Sequence, residues 1–287
     1  MTIDYDRLRS RVFPDVVQTY GPRDVILYAL GLGLGNNPMD AHQLQHVYED
    51  GLRVLPTMAV VLGHPGFWQR DPGTGIAWQS VVHGEQSLVV HRPLPVSGSV
   101  TGRMVVEEII DKGPGRGAHL HTRRDLFDNA DGALLCVLRS NAICRADGGF
   151  GGPAVDMPAA PPLPRREPDR FLDFAIPQQA ALIYRLSGDD NPLHADPAVA
   201  RLAGFERPIL HGLCSYGIAG HAVATMAAGG DASRVRRLDA RFSAPVYPGD
   251  VLRTDVWLGE SEGVRFRCRV SARNVTVLDR GLAQIVP

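Results

Sequence analysis

The chain has 287 residues, 44% hydrophobic and 21% charged, and its 30 basic and 31 acidic side chains leave a net charge of −1. This composition is globular, fills one large domain or two ordinary ones, and excludes intrinsic disorder. The charge balance excludes a broad nucleic-acid face, while leaving room for a local basic patch.

Residues 1–11 are charged and carry no apolar leader core, and no later run reaches the ~18–20 apolar residues of a membrane span. Gly21-Pro22 makes a turn, and Asp24 is placed to cap a helix over 25–30. Gly31, Gly33 and Gly35 then alternate. No Lys-Ser/Thr pair and no acidic residue at the end of a following strand completes a phosphate motif, so a glycine-rich bend is expected. Residues 54–63 are apolar enough for a buried helix, ended by His64-Pro65-Gly66. Strands follow at 87–90, 100–110, 118–127 and 133–142, separated by Gly, Pro, Asn and Asp clusters, which is the pattern of an antiparallel meander.

Residues 147–166 are rich in Gly, Pro and Ala, lack periodicity and read as a linker. The chain therefore divides into residues 1–150, a connection over 151–170, and residues 171–287. After the linker the order repeats. Helices are expected at 178–186, 197–203 and 210–228, the second opened by Pro197 and closed by Gly204. Strands are expected at 236–242, 251–259, 264–272 and 281–285. The four cysteines, Cys136, Cys144, Cys214 and Cys268, form no C-x-x-C pair and are too sparse for a disulfide framework. Reduced thiols in a cytoplasmic setting are expected, and the last four residues are not a peroxisomal or retention address.

The two halves look like copies. Tyr28-Ala29-Leu30-Gly31 matches Tyr184-Arg185-Leu186-Ser187 at 156 positions, Asn37-Pro38 matches Asn191-Pro192 at 154, Leu55 matches Leu210 at 155, and Pro95 to Val100 matches Val246 to Val251 at 151. Four matches in order at nearly constant offset mark a duplication. One apolar helix and about four antiparallel strands per half make an α+β architecture, with the two sheets free to pair edge to edge.

Asp189, Asn191 and His194 lie within six residues, preceded by Gly188 and interrupted by Pro192. On an ideal helix Asp189 and His194 would point ~140° apart. Pro192 removes a donor and biases Asn191 towards extended geometry, so the segment reads as a shaped loop able to bring acid and imidazole onto one small ligand. In the duplicated register Asp189 corresponds to Gly35 and His194 to Asp40, so the first half keeps the bend and lacks the pair.

Residues 184–197 and 205–213 resemble the hydratase-2 motif of the MaoC-like hot-dog proteins. Tyr28-Ala29-Leu30-Gly31, Val54-Leu55-Pro56-Thr57, His83-Gly84-Glu85-Gln86, Asp111-Lys112-Gly113 and Gly148-Gly149-Phe150-Gly151-Gly152 extend the resemblance over nearly the whole chain, towards the double-hot-dog hydratase region of multifunctional enzyme type 2. The resemblance implies an α+β double hot-dog, in which each repeat has a long central helix wrapped by a curved antiparallel sheet. It also implies a homodimer acting on acyl-CoA, with no cofactor and no metal. The implied reaction is reversible hydration of a trans-2-enoyl-CoA to a (3R)-3-hydroxyacyl-CoA.

The family pattern places the catalytic acid and histidine on Asp189 and His194, and the amide that binds the thioester oxygen on Gly212. It places substrate contacts on His83, Gly84, Lys112, Asp190, Asn191, Pro192, Leu193 and Phe242. Asp190 departs from the aromatic or basic residue common at its position. Two alternatives on the same fold are an acyl-CoA thioesterase and a non-catalytic acyl-CoA-binding protein.

Without the resemblance, Asp189 would be a turn cap and Asn191 an Asx-turn residue. His211 reads as a packed or hydrogen-bonded histidine, not a second base. His42 and His46, and likewise His119 and His121, lack a third metal ligand and read as solvated faces. Lys112 would be a turn lysine and Phe242 a core residue. Arg234, Arg236 and Arg237 suit either CoA phosphates or a charged strand edge. The absence of a bulky plug over 31–35 predicts acyl chains longer than C4.

Overall fold

The computed structural model describes residues 2–153 and 161–287. Ten strands are described: β1 (Val16–Tyr20), β2 (Val81–Val90), β3 (Gly98–Asp111), β4 (Ala118–Asp128), β5 (Leu134–Cys144), β6 (Arg170–Ala175), β7 (Val235–Phe242), β8 (Val251–Glu260), β9 (Gly263–Val270) and β10 (Val275–Ile285). The α-helices are α1 (Tyr5–Arg9), α2 (Pro22–Leu32), α3 (Ala41–Leu44), α4 (Ala180–Tyr184), α5 (Pro197–Leu202) and α6 (Gly212–Ala227). All ten strands join one antiparallel sheet in the order β1-β3-β4-β5-β2-β7-β10-β9-β8-β6.

Read outward from the middle, both halves have the same strand order, as the duplication predicts. The halves meet at β2 and β7, with Glu85 opposite Arg241 and Val89 opposite Arg237. Edge-to-edge pairing therefore makes one continuous sheet. Alternation of buried and half-buried residues from Gly84 to Val90 in β2 and from Ala118 to Leu126 in β4 puts one face of each on the core. The sheet wraps α6, which is buried at twelve of its sixteen positions, including Tyr216, Ile218 and Val223. Such all-round burial is what a helix enclosed by a curved sheet requires.

The first half departs from the expected long helix. Residues 54–63 contain only a 3-10 helix, Pro56–Val61. The buried guanidinium of Arg124 donates to the carbonyls of Ala59 and Val60, at 3.2 and 2.7 Å, and the Gly63 amide donates to Gln18 Oε1 at 2.8 Å. The groups that would carry a further turn are thus already paired. Gly63 is left-handed at φ 58°, and Pro65 closes the route.

Other expectations need correction. Asp24 is not the cap of α2. Gly21 is, and Asp24 at the third helical position accepts from the Gly21 amide at 2.9 Å. Strands β1 and β6, short edge strands, were not legible as periodic runs. Part of the expected linker, residues 154–160, lies outside the described residues. The connection ends before Arg170, where β6 begins, and the Arg166 carbonyl accepts from Trp257 Nε1 at 2.8 Å. His46 is buried, its Nδ1–H donating to the Arg53 carbonyl at 2.7 Å, so only His42 is exposed.

The glycines at 31–35 do not open a tunnel. A Cβ on Gly31 would lie 2.9 Å from Tyr184 Cα, and one on Gly33 would lie 2.5 Å from Pro177 Cδ. Gly31 is the close-approach position through which α2 meets α4, the helix that leads into the Asp189 loop, and Gly33 packs on the segment that precedes α4. Gly31→Ala should therefore lower unfolding free energy by about 1–3 kcal/mol, because backbone must move to admit the methyl. A urea midpoint equal to that of the wild-type chain would show that α2 shifts without cost.

Candidate active site

The Asp189 loop is built by local hydrogen bonding. After α4 the chain makes a 3-10 turn, Arg185–Ser187, and reverses at Gly188 with φ 118°, a conformation only glycine adopts without strain. Asp189 Oδ1 accepts from the Asn191 amide at 3.3 Å, and Asn191 Oδ1 accepts from the Leu193 amide at 3.2 Å. Asn191 thus caps the 3-10 turn Pro192–His194, in the loop-shaping role expected of it. In the first half the equivalent residues are scaffold: Asp40 caps α3, and the Gly35 amide donates to Gln43 Oε1.

His194 is nearly buried, at 8% exposure. Its Nδ1–H donates to the Ile209 carbonyl at 2.9 Å, which leaves the Nε2 lone pair free. Its ring stacks on His211 with centroids 3.8 Å apart and planes 29° apart. His211 Nε2–H donates back to the Asp189 carbonyl at 3.1 Å. The Asp189 carboxylate and one nitrogen of each histidine lie within 4.8 Å of one another. That spacing is within reach of a metal ion, although one nitrogen of each ring is already committed to a backbone carbonyl.

Gly212 opens α6 directly after His211. The first amides of a helix have no intrahelical acceptor and sit at the positive end of its dipole, so this one is available to an anionic oxygen. A Cβ at 212 would come within 3.1 Å of the Phe242 ring. Phe242 in turn packs on His83 at 4.6 Å between centroids, and His83 lies close enough to Asp189 to feel its charge. The cluster therefore straddles the β2–β7 seam, with first-half His83 near the second-half loop.

The remaining residues are more dispersed. Gly84 sits at a bulge between β2 and β5, where Ile143 Cγ1 would lie 2.8 Å from a Cβ, so packing alone requires glycine there. Pro192 and Leu193 are half-buried in the loop, and Asp190 is exposed beside it. Lys112 follows β3 at the same end of the sheet as His83, but three strand spacings away, roughly 14 Å at ~4.8 Å each. It is not in the acid–imidazole cluster. Arg237 pairs with Asp239 at 2.7 Å, and Arg234 binds the carbonyls of Val286 and Ala228.

Sequence reasoning missed the role of Asp111. Its carboxylate accepts from the amides of Gly113, Gly149 and Gly151 at 2.7–2.8 Å, fastening the Lys112 turn to the glycine-rich 148–152 segment. Desolvation opposes its ionisation, yet the amides prevail and hold its pKa below the usual carboxylate value. The Asp-x-Gly spacing was the only local signal.

A shaped acid–imidazole loop beside the start of a helix enclosed by a hot-dog sheet is an arrangement suited to activating water beside an anionic oxygen, and similarity to known proteins assigns the chain to a class of hydratases and dehydratases. The chain belongs to the MaoC-like hydratase family: a MaoC like domain matches residues 160–279 and an MFE-2 hydratase 2 N-terminal domain matches residues 18–146. It is 39% identical over 291 residues to 3-hydroxyacyl-thioester dehydratase Y of Mycobacterium tuberculosis, covering 100% of this chain and 99% of that one. It is 36% identical over 298 residues to the peroxisomal enoyl-CoA hydratase 2 of Arabidopsis thaliana, covering 95% and 93%. The crystal structure of a MaoC-like dehydratase from Phytophthora capsici superposes with a TM-score of 0.85 at 33% identity, covering 98% of each chain.

Burial keeps the imidazoles neutral. It pushes His211 down to about 2 and His221 and His83 down to about 4, and it lowers His194 against the opposing pull of Asp189. Each ring binds a proton in the unfolded chain below the ordinary value near 6.5 but not in the folded one. Stability therefore rises with pH between the folded value and about 6.5. Acidification through this window should remove up to about 1.4 kcal/mol per pH unit for each buried ring. Urea titrations at pH 7, 5.5 and 4.5 should show a steep fall in midpoint, and equal midpoints would contradict the neutral, buried assignment.

Proposed function

We propose that the chain catalyses the reversible hydration of trans-2-enoyl-CoA thioesters to (3R)-3-hydroxyacyl-CoA. The observation that carries this reading is the cluster of Asp189 and His194 with His211, the residue directly before the Gly212 start of α6. Identity to an enoyl-CoA hydratase 2 along nearly the full length supports it.

Hydration adds a water oxygen at the β-carbon and a proton at the α-carbon, with negative charge passing through the thioester oxygen. Asp189 and His194 hold the water and take its proton. His194 Nε2 is suited to this because Nδ1–H is committed to Ile209 and the ring is neutral at pH 7. As the oxygen bonds to the β-carbon, the π electrons move towards the thioester carbonyl, whose oxygen receives the Gly212 amide. A single oxyanion donor of this kind typically contributes ~2.7–4 kcal/mol to the transition state. The pair then returns a proton to the α-carbon on the face from which water came. No redox step occurs, and CoA enters as part of the substrate.

Around this centre, His83, Gly84, Phe242 and residues 190–193 line the acyl thioester. Lys112, held by the Asp111 clamp, lies at a distance that suits the CoA phosphates at the far end of the long carrier. Homodimeric assembly and a cytoplasmic setting belong to the same proposal. The four free, buried cysteines support the latter.

An enoyl-CoA panel from crotonyl-CoA to decenoyl-CoA, with chiral analysis of product, tests the proposal. The (3R) product should form, and Asp189→Asn should lower kcat about 10²–10⁴-fold. Full activity in that variant, or an inactive wild type at every chain length, would sink it. Free CoA thiol released in the same assay would indicate a thioesterase instead, and tight binding without turnover a carrier protein.

A further inference from the structure

His211 takes no part in the proton transfers above, yet it touches every part of the machinery. Its backbone carbonyl accepts from the Cys214 and Ser215 amides at 3.1 and 3.3 Å, which builds it into the first turn of α6, and Gly212 follows it directly. Its Nε2–H reaches 22 residues back to the Asp189 carbonyl. Its ring stacks on the ring of His194 and also meets the Tyr184 ring at 4.9 Å between centroids. The side chain is 1% exposed, and Nδ1 makes no hydrogen bond among the described residues.

Resting on the hydratase reading, we propose that His211 is a positioning residue that fixes the spacing between the water-activating pair and the oxyanion amide. The pair sits on a loop and the amide on a helix, and only a tie between them sets their separation. The hydrogen bond to Asp189 sets the loop's height above α6. The stack, together with the Nδ1–H bond to Ile209, sets the His194 ring. Because the bond is to the main chain of Asp189, it takes up neither carboxylate oxygen, and Oδ2, unlike the Oδ1 that accepts from Asn191, stays open to water. An aliphatic residue of similar volume would fill the space without fixing either separation. Reacting groups displaced by about 1 Å can lose ~10²-fold in rate, so such a tie matters far more to turnover than to folding.

Burial stops His211 from competing as a base, against the hydrogen bond to Asp189, which by itself favours the protonated ring. Burial, the neighbouring His194 and Arg185 all disfavour its protonation. The groups facing the stack are Asp189 from the loop, Arg185 and Tyr184 from the end of α4, and His83 across the seam.

Two substitutions separate the contacts. His211→Phe keeps an aromatic ring under His194 and removes the donor, whereas His211→Gln keeps a donor and removes the ring. Steady-state hydration of crotonyl-CoA from pH 5 to 9, with calorimetric binding of the saturated analogue butyryl-CoA, reads both. Each variant should bind butyryl-CoA within about threefold of wild type and lose about 10–100-fold in kcat. In the Gln variant the acidic limb of kcat/KM should also move up by about half a pH unit, because water then reaches His194 and relieves its desolvation. In the Phe variant that limb should stay in place. A kcat within twofold of wild type in both variants would overturn the proposal. So would a loss of kcat matched by an equal loss of butyryl-CoA affinity, which marks general structural damage. An inactive wild type would instead overturn the hydratase reading itself.

Discussion

The antiparallel pairing of β2 with β7 is the constraint on which the rest of the molecule depends. It turns two small sheets into one, and it decides which residues from opposite halves become neighbours. Glu85 opposite Arg241 sets the register. That register puts His83 against Phe242, and Phe242 against the start of α6. A slip of one residue would turn these side chains to the other face of the sheet. The seam is thus both the join between the repeats and the wall of the site.

Beneath the seam the repeats pack through equivalent residues. Tyr28 and Tyr184, matched in the duplication, lie 5.9 Å apart at the crossing of α2 and α4. Gly31 allows the backbones to meet there, and Gly217 does the same for α6 against Tyr28 and Leu32. The copies have then diverged in complementary ways. The second keeps the long helix, the acid and the imidazole. The first keeps the bend, uses Asp40 as a cap, and ends its helical segment after six residues, with Arg124 on the freed carbonyls. One enclosed helix suffices because the shared sheet closes around both halves.

The site is polar but almost free of net cationic charge. His83, His194 and His211 converge with Asp189 in a space where burial suppresses protonation of all three rings. Each ring has one nitrogen committed to a backbone carbonyl: Glu85 for His83, Ile209 for His194 and Asp189 for His211. These bonds choose the tautomers and orient the rings. A neutral ring with a free lone pair can accept a proton from water, whereas an imidazolium cannot. The same desolvation makes the cluster acid-sensitive, since rings held neutral in the folded chain are those that unfolding would protonate.

The sequence determined much of this on its own. The Asp189-to-His194 loop, the Asn191 bend and the duplication were legible because each rests on residue types whose local chemistry is distinctive: proline and glycine geometry, Asx turns, and spacing between matched segments; Gly212 stood out only through the family resemblance. The strands of the meander were legible from alternation. What the sequence could not show depends on partners distant in the chain. Residues 54–63 looked helical until Arg124 and Gln18 took their hydrogen bonds. Gly31 and Gly33 looked like open space until α4 and Pro177 filled it. His46 looked solvated until it was buried against Arg53. The stack of His211 on His194 joins residues 17 apart that share no local element. Local preference fixes the shape of a loop or strand, but only the packing of the folded chain decides which buried polar group meets which, because that pairing must satisfy donors and acceptors from several elements at once.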